Sequence, residues 1–424
     1  MSKFIIKGGE TLNGEVNISS AKNAVLPIIA ATILSSDKCV IENCPMLLDV
    51  FVIIDLLKTL GAKVNIDLLK NRLEIDTSDV KCVDIDSELV RKMRGSFFIM
   101  GPMISRFGKV KMALPGGCNI GTRPVDLHLK GFKALGVDIN IDHGYVEASS
   151  GKLLGNKIYL DFPSVGATEN IIMASIFAEG ETIIENAAEE PEVADLSNFL
   201  NKMGANISGI GTDMITIKGV KKLKGTTYRP IYDRIEIGTF MIAAAITKSL
   251  IKINGINEEH IKPIIAKLAE MGVSMEKDDN TLIVDGRRRL KPVDIKTMPY
   301  PGFPTDMQPQ IMALLCSVDG TSVVTETIFE NRFMHVPEMT RMGANIKIDG
   351  RSAIIHGGNG FTGASVKATD LRAGAALILL GLVTEGETEI ADIYHVDRGY
   401  VNIEKKLQKL GANIKRVASS SCDS

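Results

Sequence analysis

At 424 residues, 45% of them hydrophobic and 24% charged, the chain is long enough for two or three domains with apolar cores. Its 49 basic and 51 acidic residues nearly cancel, and the basic ones are scattered, which excludes a polybasic nucleic-acid or membrane-surface footprint. Six cysteines, at 39, 44, 82, 118, 316 and 422, show neither disulfide-scaffold density nor the paired short spacings of a zinc site, so reduced cytosolic thiols are expected.

The first residues, MSKFIIKGGE, carry no apolar signal region. Apolar runs such as 25–34 and 373–383 are shorter than a membrane span and are broken by Pro or Gly, so they read as buried helices of a cytoplasmic protein. The last residues, 418–424, read as a frayed tail.

One signature recurs along the chain: Leu or Met, Gly, then Ala or Val, then alternating residues. It falls at Gly61, Gly136, Gly204, Gly272, Gly343 and Gly411, at intervals of 75, 68, 68, 71 and 68 residues. A helix that ends on a left-handed glycine and hands over to a strand gives this pattern. Around each corner the same elements repeat in order. A strand and turn come first (FIIKGGETLNGEVNI in the first copy), then a helix apolar on nearly every face (AVLPIIAATIL, ENIIMASIFA, GTFMIAAAI, AGAALILLGLV). A second strand (CVIEN, KVKMAL, TIIEN, LIKIN, SVVTE, TEIAD), a loop and an amphipathic helix complete the copy. The spacing therefore predicts six ββαβαβ units of about 70 residues. Each is marginal alone, so the units should cluster, three to each of two α/β domains, with open solenoid packing as the structural competitor.

The second copy is the odd one. From the second strand's end to the corner glycine the six distances are 18, 22, 18, 18, 17 and 19 residues. The longest connection holds LPGGCNIGTRPVDLH, residues 114–128, with Cys118 among Gly116, Gly117 and Gly121 and close to Arg123. Glycines let backbone wrap a small ligand, and a nearby cation favours the thiolate. An insertion confined to one copy marks a functional loop.

The starts of the six buried helices align as well. They carry Lys22 and Asn23; Arg94; Ser164, Val165 and Gly166; Asp233, Arg234 and Glu236; Thr305 and Asp306; and Asp370 and Arg372. Ser20, Ser164, Asp306 and Asp370 suit helix caps. Lys22, Arg94, Arg234 and Arg372 lie where the helix dipole disfavours cations, which is accounted for if an anion sits there with them. Arg123, Arg332 and Arg398 follow second strands and would share that end of the structure. Two such ends facing one another imply a substrate with several negative charges, such as phosphate plus carboxylate. Residues 358–363 fit GxGxxG but lie between strands, which predicts a hairpin and no dinucleotide. His128, His335 and His395 lack ligand spacing and read as hydrogen-bonded structural groups, so neither a metal nor a cofactor is expected.

Taken together, SSAKNAVLP, LPGGCNIGTRPVDLH, PSVGAT, FPTDMQ, ENRFMH, ATDLRA and IYHVDRGY closely resemble the enolpyruvyl transferase family that acts on UDP-N-acetylglucosamine to open peptidoglycan synthesis. The resemblance covers about residues 1–417. It implies a two-domain inside-out α/β barrel, with residues 22–230 in one domain and 1–21 plus 231–424 in the other. The implied reaction passes the enolpyruvyl group of phosphoenolpyruvate to the 3-hydroxyl of UDP-N-acetylglucosamine by addition and elimination, releasing phosphate. Matched motif by motif, Cys118 is implied as proton donor and site of a covalent phosphoenolpyruvate adduct, and Asp306 as acceptor of the hydroxyl proton. Lys22, Arg123 and Arg398 are implied at the phosphate, and Arg332 and Arg372 at the carboxylate. Asn23, Arg94, Arg123, Pro124, Val125, Asp126, Leu127, Ser164, Val165, Gly166, Asp306 and Ile328 fall at sugar-nucleotide positions, with Asp370 and Glu190 supporting proton transfer. A cysteine in the loop also implies inactivation by the epoxide fosfomycin.

One position departs from the pattern: Phe162 stands where well-known members carry lysine. The rival readings are the sister 3-phosphoshikimate 1-carboxyvinyltransferase, whose LPGSKS-type N-terminal motif is absent, and a non-catalytic sugar-nucleotide-binding paralogue, which would be expected to lose Cys118, Asp306 or the arginines.

Overall fold

The computed structural model describes residues 2–81, 85, 87–115 and 125–418. These fall into two compact units, one holding residues 2–19 and 232–418, the other the described residues between 20 and 231. All six corner glycines have positive φ, between 87° and 106°, a region side chains with a Cβ rarely enter.

In the unit containing residues 232–418, three buried helices, Arg234–Ile246, Gln308–Cys316 and Leu371–Gly381, pack on one another, with no residue of the three exposed. Their nearly uniform apolar faces require that position, since a surface helix would leave one side in water. Three four-stranded sheets cover them. Each sheet has one parallel pair followed by two antiparallel ones. Strand Asn13–Asn17 runs parallel to Leu250–Asn254, which pairs with Thr281–Asp285 and through it with Ser274–Asp278. The second sheet orders Ile295–Lys296, Gly320–Thr325, Ser352–Gly357 and Asn345–Asp349 in the same way. In the third, Ser2–Lys7 sits between Glu387–Ala391 and Asn413–Ala418, so the chain's first strand completes its last sheet.

The structural repeat is offset from the sequence repeat. Where both strands that open a sequence copy are described, they belong to different sheets; in the first two sheets the hairpin is made by the third and fourth strands, and in the third sheet those places are taken by Ser2–Lys7 and Asn413–Ala418 from opposite ends of the chain. Residues 358–363 are therefore not a hairpin turn. They carry the chain from Ser352–Gly357 in one sheet to Ser365–Lys367 in another.

The other unit follows this plan in two four-stranded sheets, with three antiparallel strands described in its third. Thr227–Tyr228 runs parallel to Cys39–Ile41 and Lys157–Tyr159 parallel to Glu181–Glu185, while Lys109–Ala113, Tyr145–Ser149 and Asp138–Asp142 form the third sheet. Helix Asp126–Ala134 lies against helix Val165–Ser175 at Gly131, where a Cβ would stand 2.3 Å from Ile171 Cδ1. That close approach brings His128 up to the start of the second helix.

The segment leading to residue 231 is pinned by Asp195, 3% exposed. Its carboxylate accepts from the Tyr228 hydroxyl at 2.6 Å and from the Ile231 N–H at 3.1 Å. Burial is the largest influence and raises its pKa from 3.8 to about 6, against the lowering effect of these hydrogen bonds. A raised acid stabilises the fold fully below the unfolded value, and that contribution fades as pH rises through the folded value. Asp195→Asn cannot titrate. Its stability relative to the parent is therefore expected to improve by about 3 kcal/mol between about pH 4 and pH 7. Urea melts across that window check this, and a difference independent of pH refutes it.

Candidate active site

In the 232–418 unit the chemistry gathers on Asp306. A single 3-10 turn, Thr305–Met307, sets its carboxylate ahead of helix Gln308–Cys316. Arg332 Nη2 donates to Oδ1 at 3.2 Å, while Arg372 donates to Oδ2 through Nη2 at 2.9 Å and Nε at 3.2 Å. The arginine side chains are 2% and 4% exposed and the aspartate 26%, so the cations are buried and the carboxylate faces outward. Burial works against charge on Arg372, but Asp306, Tyr400 and Asp233 outweigh it and raise its pKa, keeping the guanidinium charged. Forked donors of this kind match a carboxylate or a phosphate.

Glu326, 1% exposed, braces the site. It accepts from the Thr305 hydroxyl at 2.9 Å and from the backbone N–H groups of Ile328 and Phe329 at 2.8 and 3.1 Å. Asp370 caps helix Leu371–Gly381 with Oδ1, accepting from Arg372 and Ala373 N–H, while Oδ2 is buried without a hydrogen-bond partner. Its charge acts on His335 and His395. Burial nonetheless lowers the His335 pKa to about 4, and burial followed by Arg398 lowers that of His395, so both imidazoles are neutral near pH 7. Arg398 is half-buried at the end of helix Tyr394–Asp397.

In the unit between 20 and 231, Lys22 Nζ pairs with Asp49 at 2.6 Å, beside half-buried Asn23. Arg94 opens a 3-10 helix, Arg94–Ile99, and adds to burial in lowering the His128 pKa to about 3. The tautomer of His128 follows from its neighbour. Asn170 Oδ1 accepts from Gly101 N–H, so its amide NH2 donates to Phe97 O and to His128 Nδ1, leaving the imidazole proton on Nε2. Ser164 caps helix Val165–Ser175, and Gly166 lies against the His128 ring. Phe162 is exposed two residues before that cap. Glu169, on the same helix, is fully buried with neither oxygen hydrogen-bonded. Burial, then Glu192 and Glu190, hold it as the neutral acid.

Three sequence expectations need correction or limits. Three of the four helix-start cations do not by themselves require a bound anion, because Asp49 and Asp306 supply carboxylates to Lys22 and Arg372, and Arg234 lies over the Tyr300 ring. Neither Ser20 nor Asp306 is a cap: Ser20 Oγ donates to Pro230 O and accepts from Asn43 at 3.0 Å, and Asp306 turns to its arginines. Cys118, Arg123 and Pro124 lie outside the described residues, whereas Val125, Asp126 and Leu127 lead into helix Asp126–Ala134. Asp49, Glu326, Tyr400 and Glu169 are residues that sequence reasoning missed. The described cysteines are poor nucleophiles, since burial raises Cys39 and pushes Cys44 and Cys316 up to about 12. Among the described residues no cluster of His, Cys, Asp and Glu could hold a metal, and no helix is long and apolar enough to cross a membrane.

Two buried guanidiniums converging on a carboxylate, within sheets wrapped around three helices, set the class against which known proteins can be compared. Residues 6–407 match the family model of EPSP synthase (3-phosphoshikimate 1-carboxyvinyltransferase). The enolpyruvyl transferase NikO from Streptomyces tendae has the same fold at a TM-score of 0.89, with 25% identity over 98% of this chain and 99% of its own. EPSP synthase from Acinetobacter baumannii shares the fold at a TM-score of 0.76 and 18% identity, over 99% of this chain and 100% of its own. The chain belongs to the enolpyruvyl transferase family. Within that family its similarity is to UDP-N-acetylglucosamine 1-carboxyvinyltransferases. It is 75% identical to one from Clostridium acetobutylicum and 69% identical to one from Clostridium tetani, each across 98% of this chain and 100% of the relative.

Proposed function

We propose that the chain transfers the enolpyruvyl group of phosphoenolpyruvate to the 3-hydroxyl of UDP-N-acetylglucosamine in the cytoplasm, the first committed step of peptidoglycan synthesis. The observation that carries this reading is the Arg332–Asp306–Arg372 constellation, taken with a relative of that name at 75% identity. In the addition step the sugar hydroxyl oxygen bonds to C2 of phosphoenolpyruvate, Asp306 takes the hydroxyl proton, and Cys118 gives a proton to C3. A tetrahedral phosphoketal results. Elimination then removes a proton from the new methyl group and expels phosphate, restoring the double bond. Arg332 and Arg372 hold the carboxylate, and Lys22, Arg123 and Arg398 hold the phosphate, where charge changes during the reaction. Asn23, Arg94, Ser164, Val165, Gly166, Ile328 and the segment 123–127 receive the sugar nucleotide. Glu190 and Asp370 support the proton transfers. Cys118 is also the site at which fosfomycin would alkylate the protein.

The test is phosphate release from phosphoenolpyruvate with UDP-N-acetylglucosamine, run beside shikimate 3-phosphate. Release with the sugar nucleotide alone is expected. Release with shikimate 3-phosphate transfers the reading to the sister enzyme. Binding of the sugar nucleotide without turnover makes the chain a non-catalytic paralogue, with Phe162 the first position to change to lysine.

A further inference from the structure

We propose that Tyr400 is a positioning residue for Arg372, fixing its guanidinium against Asp306 through a buried network with Thr239 and Gln310; the kinetic consequence rests on the function proposed above.

The network joins the three central helices of the 232–418 unit. Thr239 lies on Arg234–Ile246, Gln310 on Gln308–Cys316 and Arg372 on Leu371–Gly381, and Tyr400 enters from the loop beyond Tyr394–Asp397. All four residues are 3% exposed or less. Counting protons settles the direction of each bond. Thr239 Oγ1 gives its one proton to Ile235 O at 2.7 Å. In its 2.8 Å contact with Tyr400, the phenol is therefore the donor. Gln310 Nε2 donates to the phenol oxygen at 3.3 Å and to Thr239 Oγ1 at 3.4 Å. The phenol proton is thus committed away from Arg372, and the oxygen has only lone-pair density to offer on its other side.

Arg372 lies over the ring of the same residue. Its guanidinium carbon lies 5.5 Å from the Tyr400 ring centroid, and the cation beside the phenol counteracts the burial that raises the Tyr400 pKa. Nε and Nη2 are committed to Asp306, whereas Nη1 makes no hydrogen bond. The guanidinium is consequently gripped by a carboxylate through Nε and Nη2 and lies over the ring of a phenol whose own proton is already committed to Thr239. Without that contact the long side chain regains rotamers in which the fork no longer matches its anion. Positioning of this sort makes a binding group ready in advance and acts on the ligand that the arginine holds.

The test compares Tyr400→Phe and Thr239→Val with the parent in two measurements. The first is KM and kcat for both substrates. Tyr400→Phe is expected to raise KM for phosphoenolpyruvate about 3–10-fold, with a smaller change for Thr239→Val, while KM for UDP-N-acetylglucosamine stays constant. A role confined to packing lowers the melting temperature and leaves that KM unchanged. The second measurement is hydrogen exchange of the Arg372 Nε–H by NMR, with the signal identified by its loss in Arg372→Lys. Exchange is expected to quicken in both variants. Unchanged exchange together with an unchanged KM for phosphoenolpyruvate overturns the proposal. If the parent shows no turnover, the functional reading fails and the exchange arm alone decides the role of Tyr400. Should Tyr400→Phe not fold, Thr239→Val and Gln310→Met carry the same two readouts.

Discussion

Asp306→Asn is expected to lower kcat for phosphate release by about 10²–10⁴-fold, the range over which a positioned acid or base contributes. The carboxylate has two jobs. It anchors Arg332 through Oδ1 and Arg372 through Oδ2, and in the proposed reaction it receives the proton of the sugar hydroxyl. An asparagine matches its shape but keeps a single acceptor oxygen. Whichever way the amide turns, its NH2 group meets a guanidinium that has only protons to offer. The clamp then loosens on one side, and no group of suitable basicity is left for the hydroxyl. Arg372→Lys separates the two roles. It disturbs the same clamp and keeps the carboxylate, so it is expected to raise KM for phosphoenolpyruvate more than it lowers kcat. Steady-state phosphate release, with calorimetric binding of UDP-N-acetylglucosamine as a check on folding, makes the comparison. A kcat for Asp306→Asn within about tenfold of the parent removes Asp306 as the proton acceptor.

The parts of the fold that were legible in the sequence are those governed by local physics. Six glycines had to adopt positive φ because helices end there, and they do. Helices without a polar face had to be central, and Arg234–Ile246 is buried along its whole length. What escaped was pairing over long separations. Ser2–Lys7 pairs with strands 380 or more residues away, and no local pattern distinguishes that partner from any other open edge. The offset between sequence repeat and sheet follows from the same limit, since alternation identifies a strand but not the sheet it joins.

The site shows a similar division. Arginines and aspartates at equivalent helix starts were readable because the repeat aligns them, but their partners were not. Asp49 and Asp306 neutralise Lys22 and Arg372 from other elements, so the negative charge that the helix dipole calls for beside these two cations is supplied by the protein itself. Glu326 did leave a trace. Three of the other five equivalent strand ends, Asn43, Asn186 and Asp392, have φ of 52°, 54° and 56° and act as local turn formers. A longer acid at this position is out of keeping with a turn and suits a side chain that reaches across to Thr305 and the 328–329 backbone. Tyr400 left no such trace, because one aromatic residue in a loop reads as core until its hydroxyl partners are known.

Cys118→Ala is expected to reduce phosphate release by about 10²–10⁴-fold and to abolish covalent capture of fosfomycin. Ease of ionisation separates the thiols. Cys39, Cys44 and Cys316 are buried, and burial raises all three, the last two to about 12, so they are thiols at neutral pH and inaccessible to a polar epoxide. Cys118 belongs instead to a glycine-rich insertion five residues before Arg123, the environment in which a thiolate is favoured. Its sulfur would attack an epoxide carbon, forming a C–S bond as the C–O bond opens, and the resulting alkoxide would take up a proton. The same residue, as thiol, would supply the proton that C3 of phosphoenolpyruvate gains on addition. Intact mass after incubation with fosfomycin and UDP-N-acetylglucosamine should therefore increase by one epoxide molecule in the parent and remain constant in Cys118→Ala. Peptide mapping separates Cys118 from Cys82 and Cys422. An adduct at another cysteine, an adduct that persists in Cys118→Ala, or a parent protein left unmodified and fully active each defeats the assignment. Loss of the adduct with phosphate release retained is the most informative split: it keeps Cys118 as the nucleophile toward the epoxide and moves the proton donation to another acid.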